Sequence, residues 1–155
     1  MNDLYNNPKV KAMVSHTKGE GFGRPLLEFS LTGKPIIASG WSGQVDFLDP
    51  QKAILIGGTL ENVDKSAVVK DMILEQAQWF KPEDGQVGKA YTELFKKYKD
   101  YVVPAKQLKN QNKVKFSFEQ MTNDLKAYTD KYVPEFAVEV ALNLPKLELP
   151  KLQRL

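Results

Sequence analysis

The chain has 155 residues, 42% of them apolar and 26% charged, a balance that permits one folded core and gives no compositional ground for global disorder. It contains no cysteine, which excludes disulfides, thiolate nucleophiles and Cys-based zinc sites, and a single histidine, His16, which excludes a multi-His metal centre within one chain. Net charge is +3, no apolar stretch approaches the roughly 20 residues of a bilayer-spanning helix, and residues 1–5 lack the basic and apolar regions of a signal peptide, so a cytoplasmic setting is expected.

Residues 10–15, Val-Lys-Ala-Met-Val-Ser, read as a short strand leading into a glycine-rich stretch, and residues 25–32 after it read as a helix. Pro25 suits a first helical position and Gly33 suits the left-handed residue that closes a helix. Residues 35–39, Pro-Ile-Ile-Ala-Ser, form a second strand that ends in the loop Gly40-Trp41-Ser42-Gly43, with a further short helix over 43–48. Residues 53–56 form a third strand. Short, continuously apolar strands separated by helix-length segments indicate a parallel sheet covered on both faces, an α/β doubly wound layer that binds ligands at the carboxyl ends of its strands.

Residues 59–83 are ambiguous between a helix and an extended excursion, with Trp79 expected in the core or against the last helices. From Asp84 the spacing of Val87, Ala90, Tyr91, Leu94, Phe95 and Tyr98 predicts an amphipathic helix over 84–100, capped by Asp84 and ended by Pro104. Its lysines interleave with aromatics as on a nucleic-acid surface, but helical spacing favours a buried aromatic face and a solvated lysine face, so nucleic acid is not an expected partner. A polar linker, "KQLKNQNKVK", leads to a second helix over 117–131, with Ser117 and Gln120 placed as a capping box and Met121, Leu125, Tyr128 and Tyr132 as its buried face. The tail repeats "LNLPK" and "LELPK" before "LQRL"; Pro145 and Pro150 exclude a continuous helix and favour an extended segment, either free or docked on a partner.

The chemistry concentrates in "SHTKGEGFGRPLLEFSLTGKPIIASGWSG". Gly19, Gly21 and Gly23 allow close approach of backbone to a ligand, and the helix starting near Arg24 aims N–H groups and its positive dipole end at the same crevice, which suits a diphosphate. Glu28, placed in the first turn of that helix, can accept two ribose hydroxyls, and Glu20 can reach a second hydroxylated ring. Ser42 and Gly43 add backbone donors from the second loop. His16 either contacts the ligand or simply ends a strand, and Trp41 is read as loop packing before a stacking platform. The glycines match neither the G-x-G-x-x-G dinucleotide fingerprint nor a P-loop.

The same stretch resembles the E-x7-E segment of the retaining glycosyltransferases of GT-B architecture, E-G-F-G-x-P-x-x-E followed by G-x-P-[IV]-[IV]-A-[ST] and a glycine loop, over roughly residues 4–58. The resemblance implies a partial Rossmann-like, nucleotide-sugar-binding domain over 1–103, a linker and helix over 104–133, and an extended tail over 134–155. It implies further that Glu28 holds the ribose, that Glu20 contacts the transferred hexose, and that Gly21, Phe22 and Gly23 lie along the diphosphate and sugar. A nucleotide-diphosphate sugar is then the donor substrate, with no metal and no further cofactor, and the acceptor is unspecified. Asp46 is the nearest acid where the family carries a glutamate, and Lys18 and Arg24 do not occupy the position of the family's basic pair, which comes from upstream strands. The acceptor domain is expected from a second polypeptide docking the tail or from a longer product. The alternative is a catalytically inactive, truncated module with a structural or interaction role. The "WSGQVDFL" variant and the tail are also similar to glycosyltransferase-like proteins of large tailed phages.

Overall fold

Residues 36–39 are buried at every position, and this run of Ile-Ile-Ala-Ser forms the middle strand of a three-stranded parallel sheet. In the computed structural model, which describes residues 1–74 and 76–134, the sheet comprises β1 (Met13–Ser15), β2 (Ile36–Ser39) and β3 (Ile54–Ile56) in that order. Met13 pairs with Ile36, and Ile37 with Ile54. Because side chains alternate across a strand, neighbours on β2 serve different cores. Ile36 and Ala38 join Leu26, Phe29, Phe47 and Leu48 on one face, while Ile37 joins Ile56, Ala90 and Leu94 on the other. The chain is thus a mixed α/β protein with a partial Rossmann-like sheet covered on both faces, as the strand pattern predicts.

Helix α1 (Asn2–Asn6) precedes β1, and α2 (Arg24–Ser30) joins β1 to β2 across the first face. Pro25 occupies the first turn of α2, and Gly33 beyond its end takes the left-handed conformation, φ 73°. The short helix expected after the second loop is a 3₁₀ turn, Gly43–Asp46. The ambiguous stretch resolves into an antiparallel hairpin, β4 (Gly58–Asn62) with β5 (Gln78–Pro82), enclosing a second 3₁₀ turn at Lys65–Ala67. Trp79 lies half-buried in β5, outside both core clusters, with the Lys18 ammonium 4.2 Å above its ring.

The carboxy-terminal helices depart from the sequence pattern in several places. Helix α3 (Asp84–Lys96) has Glu83 as its N-cap, with Asp84 its first residue, and ends at Lys97. Tyr91 and Phe95, expected on its buried face, are exposed, Phe95 by 89%, because Ala90 and Leu94 take the contact with the sheet. Helix α4 (Tyr98–Lys115) then runs through Pro104 and through the expected polar linker. One lost backbone bond is outweighed by packing on both sides of the proline: Tyr98 and Tyr101 lie against the second core, and Ala105, Leu108 and Asn112 are buried. Asn112 Nδ2 donates to Ser30 Oγ (2.9 Å) and Phe47 O (3.2 Å), fixing α4 to α2 and to the 3₁₀ turn.

Helix α5 (Phe118–Tyr132) starts where the cap predicts, the Ser117 hydroxyl oxygen accepting the Gln120 N–H at 3.0 Å. Its expected buried face is not buried: Met121, Leu125, Tyr128 and Tyr132 are each more than half exposed. The amphipathic pattern is present, but no described element packs over it. The Leu-Pro repeat lies outside the described residues, as does all of the expected tail but Pro134. No helix among the described residues is long and apolar enough to cross a membrane.

Candidate functional site at the carboxyl ends of β1 and β2

Parallel strands direct their loops to one rim, and here the loops after β1 and β2 are bound to each other there. The Glu20 N–H donates to Ser42 Oγ (3.1 Å), the Ser42 hydroxyl donates to Glu20 O (2.6 Å), and the Gly43 N–H donates to the same carbonyl (3.1 Å). Glu20 is thereby held half-buried at the junction of both loops. Ser42 reaches it in a strained conformation, φ 69° and ψ −161°, a region used almost only by glycine and costing about 1–3 kcal/mol. Strain of this kind persists where surrounding bonds over-determine it, and two of those bonds belong to Glu20.

The glycines divide by role. Gly23 is left-handed (φ 82°) and buried, and a Cβ there would press on Gln44 at 3.3 Å; its carbonyl accepts the first bonds of α2, from Leu26 N–H (2.9 Å) and Leu27 N–H (3.3 Å). A Cβ on Gly43 would collide with the backbone of Gly21 and Phe22. Gly21 has no atom within 4 Å of a Cβ position and Gly19 only Ser42 Oγ at 4.0 Å, so packing within the chain does not require glycine at either. Since Pro25 has no N–H, Arg24 keeps the one N–H at the start of α2 that finds no acceptor among the described residues.

Other expected site residues sit differently from the reading of the sequence. Glu28 is the fifth residue of α2 and so lies in its second turn, where dipole support has faded, not in its first. Its carboxylate pairs with Arg24 Nε at 3.1 Å, and it lines a cavity of about 300 Å³ with Asn2, Tyr5 and Asn6 of α1, apart from Glu20 and the glycines. Phe22 turns its ring onto Phe47 (centroids 5.3 Å) and Phe116 (5.9 Å), so it closes an aromatic cluster between the 3₁₀ turn and the end of α4. Asp46 ends that turn, exposed, with its carbonyl accepting from Lys115 Nζ at 3.1 Å.

His16 follows β1 directly, and its Nε2 lies 2.8 Å from Tyr91 Oη of α3. Its Nδ1 and the neighbouring Thr17 Oγ1 are buried with no hydrogen-bond partner among the described residues. Burial holds the imidazole pKa below its ordinary 6.5, so His16 is neutral at pH 7 and offers hydrogen bonds in place of charge. A folded-state pKa below the unfolded one means that the unfolded chain takes up the proton first. Stability is therefore expected to fall as pH drops below about 6.5 and to level off once the folded imidazole also protonates. Urea unfolding from pH 7.5 to 5 checks this; a His16→Gln variant with an unchanged pH profile would refute the assignment.

Sequence reasoning missed Tyr91 as a partner of the site and missed the hairpin's place at this rim. Phe80 N–H donates to Lys18 O at 3.0 Å, and the Phe80 ring stacks beneath Trp41. No spacing rule links positions 16 and 91, or 18 and 80, and only the fold brings them together. Among the described residues, no three His, Cys, Asp or Glu side chains converge as a metal site. No known protein family, curated protein or solved structure matches the chain.

Proposed function

We propose that the chain is the donor-binding part of a GT-B retaining glycosyltransferase and holds a nucleotide-diphosphate sugar along the joined loops 16–24 and 40–43. The observation that carries this reading is the three-bond junction of Glu20 with Ser42 and Gly43, built at the cost of a strained serine at the carboxyl ends of two parallel strands. In this reading Glu20 contacts the transferred hexose, and Glu28, on the α1 side, the ribose. Gly19 and Gly21 leave space for the diphosphate beside the Arg24 N–H, and Lys18 and Arg24 neutralise its charge by turning from their contacts with Trp79 and Glu28, His16 being neutral. In the reaction the bond from the anomeric carbon to the diphosphate oxygen breaks, one to an acceptor hydroxyl oxygen forms, and the hydroxyl proton passes to the departing diphosphate. Charge on the departing diphosphate is stabilised by these donors, without a metal, in a cytoplasmic setting.

A second reading is favoured by α5, whose Met121, Leu125, Tyr128 and Tyr132 stand uncovered: a catalytically inactive module that works by protein contacts. One measurement separates the two. Calorimetric titration of the full chain with UDP, GDP and their hexose conjugates is expected to give saturable binding for at least one base. If no nucleotide binds at millimolar concentration, the donor reading fails and the interaction reading stands.

A further inference from the structure

Trp41 is the second residue of the loop that carries Ser42, and 41% of its surface is exposed. Its indole lies parallel to the Phe80 ring, 4° between the planes and 6.0 Å between centroids, while Phe80 itself is only 5% exposed. Phe80 therefore backs only an edge of the indole, and much of Trp41 stays open to solvent. Both rings are held by backbone bonds. Gly40 N–H donates to Ile56 O (2.8 Å) before Trp41, and Ser42 binds Glu20 after it. Phe80 is paired with Leu60 in the hairpin, donates its N–H to Lys18 O, and stands where a Cβ on Gly58 would strike it. A flat apolar surface fixed on rigid backbone loses little freedom on binding.

We propose that the exposed face of Trp41 is a saccharide subsite that stacks on the apolar face of a pyranose ring. The proposal rests on the donor reading, which sets where a sugar and a base would lie. A nucleobase would also stack on indole, and position decides between them. Trp41 adjoins the Glu20 junction, whereas the cavity holding Glu28 lies across α2 beside α1. A donor laid between the two acids puts its base and ribose at the α1 end and a sugar at the Trp41 end. The ring stacked there belongs either to the transferred hexose or to a saccharide acceptor.

The test uses the full chain, labelled so that the Trp41 indole N–H resonance is followed by NMR, titrated with nucleoside diphosphates, nucleotide-hexoses, and free hexosides and disaccharides. The Trp41 resonance is expected to shift with a sugar-bearing ligand. Nucleotide-hexoses acting alone point to the transferred sugar, and free saccharides to the acceptor. Trp41→Leu, which still covers Phe80, is expected to weaken sugar binding about tenfold and leave nucleoside diphosphate binding unchanged, and Trp41→Phe to retain most of it. Equal weakening of diphosphate and nucleotide-hexose overturns the subsite in favour of base stacking while the donor reading survives. A shift with free saccharide but no nucleotide binding supports the subsite and sinks the donor reading. No shift with any sugar-bearing ligand overturns the subsite.

Discussion

Gly43→Ala is expected to abolish binding of any ligand at the rim and to lower unfolding stability by about 1–3 kcal/mol, the range for forcing an added carbon into a packed site. The added Cβ would occupy the space of the Gly21 and Phe22 backbone, so the loops after β1 and β2 must part. Parting them breaks the Gly43 N–H bond to Glu20 O and loosens both Ser42 bonds to the same residue, which removes Glu20 from its position. Phe22 would move as well, and with it the contacts to Phe47 and Phe116 that close the end of α4. Urea unfolding paired with the nucleotide titration measures both effects. Wild-type stability and binding in the variant would show that the two loops are independent, contrary to the geometry.

Phe29→Ala is expected to be the more damaging change for the fold, by about 3–5 kcal/mol. Phe29 is among the largest fully buried side chains and meets Tyr5 edge to face, with centroids 5.5 Å apart, so it joins α2, α1 and the sheet in one cluster. Total stability of a domain this size is about 5–15 kcal/mol, so the loss takes a large share of it. Because Tyr5 is fastened independently, its carbonyl accepting Lys34 Nζ at 2.6 Å, the cavity cannot close by a simple collapse of α1. The denaturation midpoint of the variant checks this. A loss below 1 kcal/mol, on the order of a conservative swap, would place Phe29 outside the working core.

The fold was legible wherever one local signal sufficed. Ile36, Ile37 and Ala38 announce a buried strand by being apolar without interruption, and Gly33 and Pro25 bracket α2 by their backbone geometry alone. The hairpin was not legible because β4 is exposed at all five positions, so no alternation of apolar and polar residues marks it. Pro104 misled for the opposite reason: its local rule is sound, but packing of Tyr101 on one side and Leu108 on the other overrides it. The break at Lys97 also escaped notice, since the apolar period continues through it into Tyr98. On α5 the pattern correctly marks a face, yet amphipathicity records only that a face exists and not what lies on it. At the rim, loop placement brings Glu20 near Ser42 and Gly43, but the Gly43 N–H expected to meet a ligand is taken by Glu20 O, and the second-turn position of Glu28 and the contacts of Tyr91 and Phe80 depend on elements distant in sequence.

Helix α4 passes from one face of the sheet to the other near the starts of β1 and β2, where Tyr98 Oη donates to Lys11 O and Gly33 stands against Lys106. Its first half seals one core and its second half seals the other. The helix therefore acts as a clasp: neither layer can peel away without releasing the rod that fastens its opposite. Opening the α3 side loosens Tyr98 and Tyr101, and the strain passes along the same rod to Leu108 and Asn112 on the α2 side. Two small cores, each too thin to persist alone, are in this way made to melt as a single body.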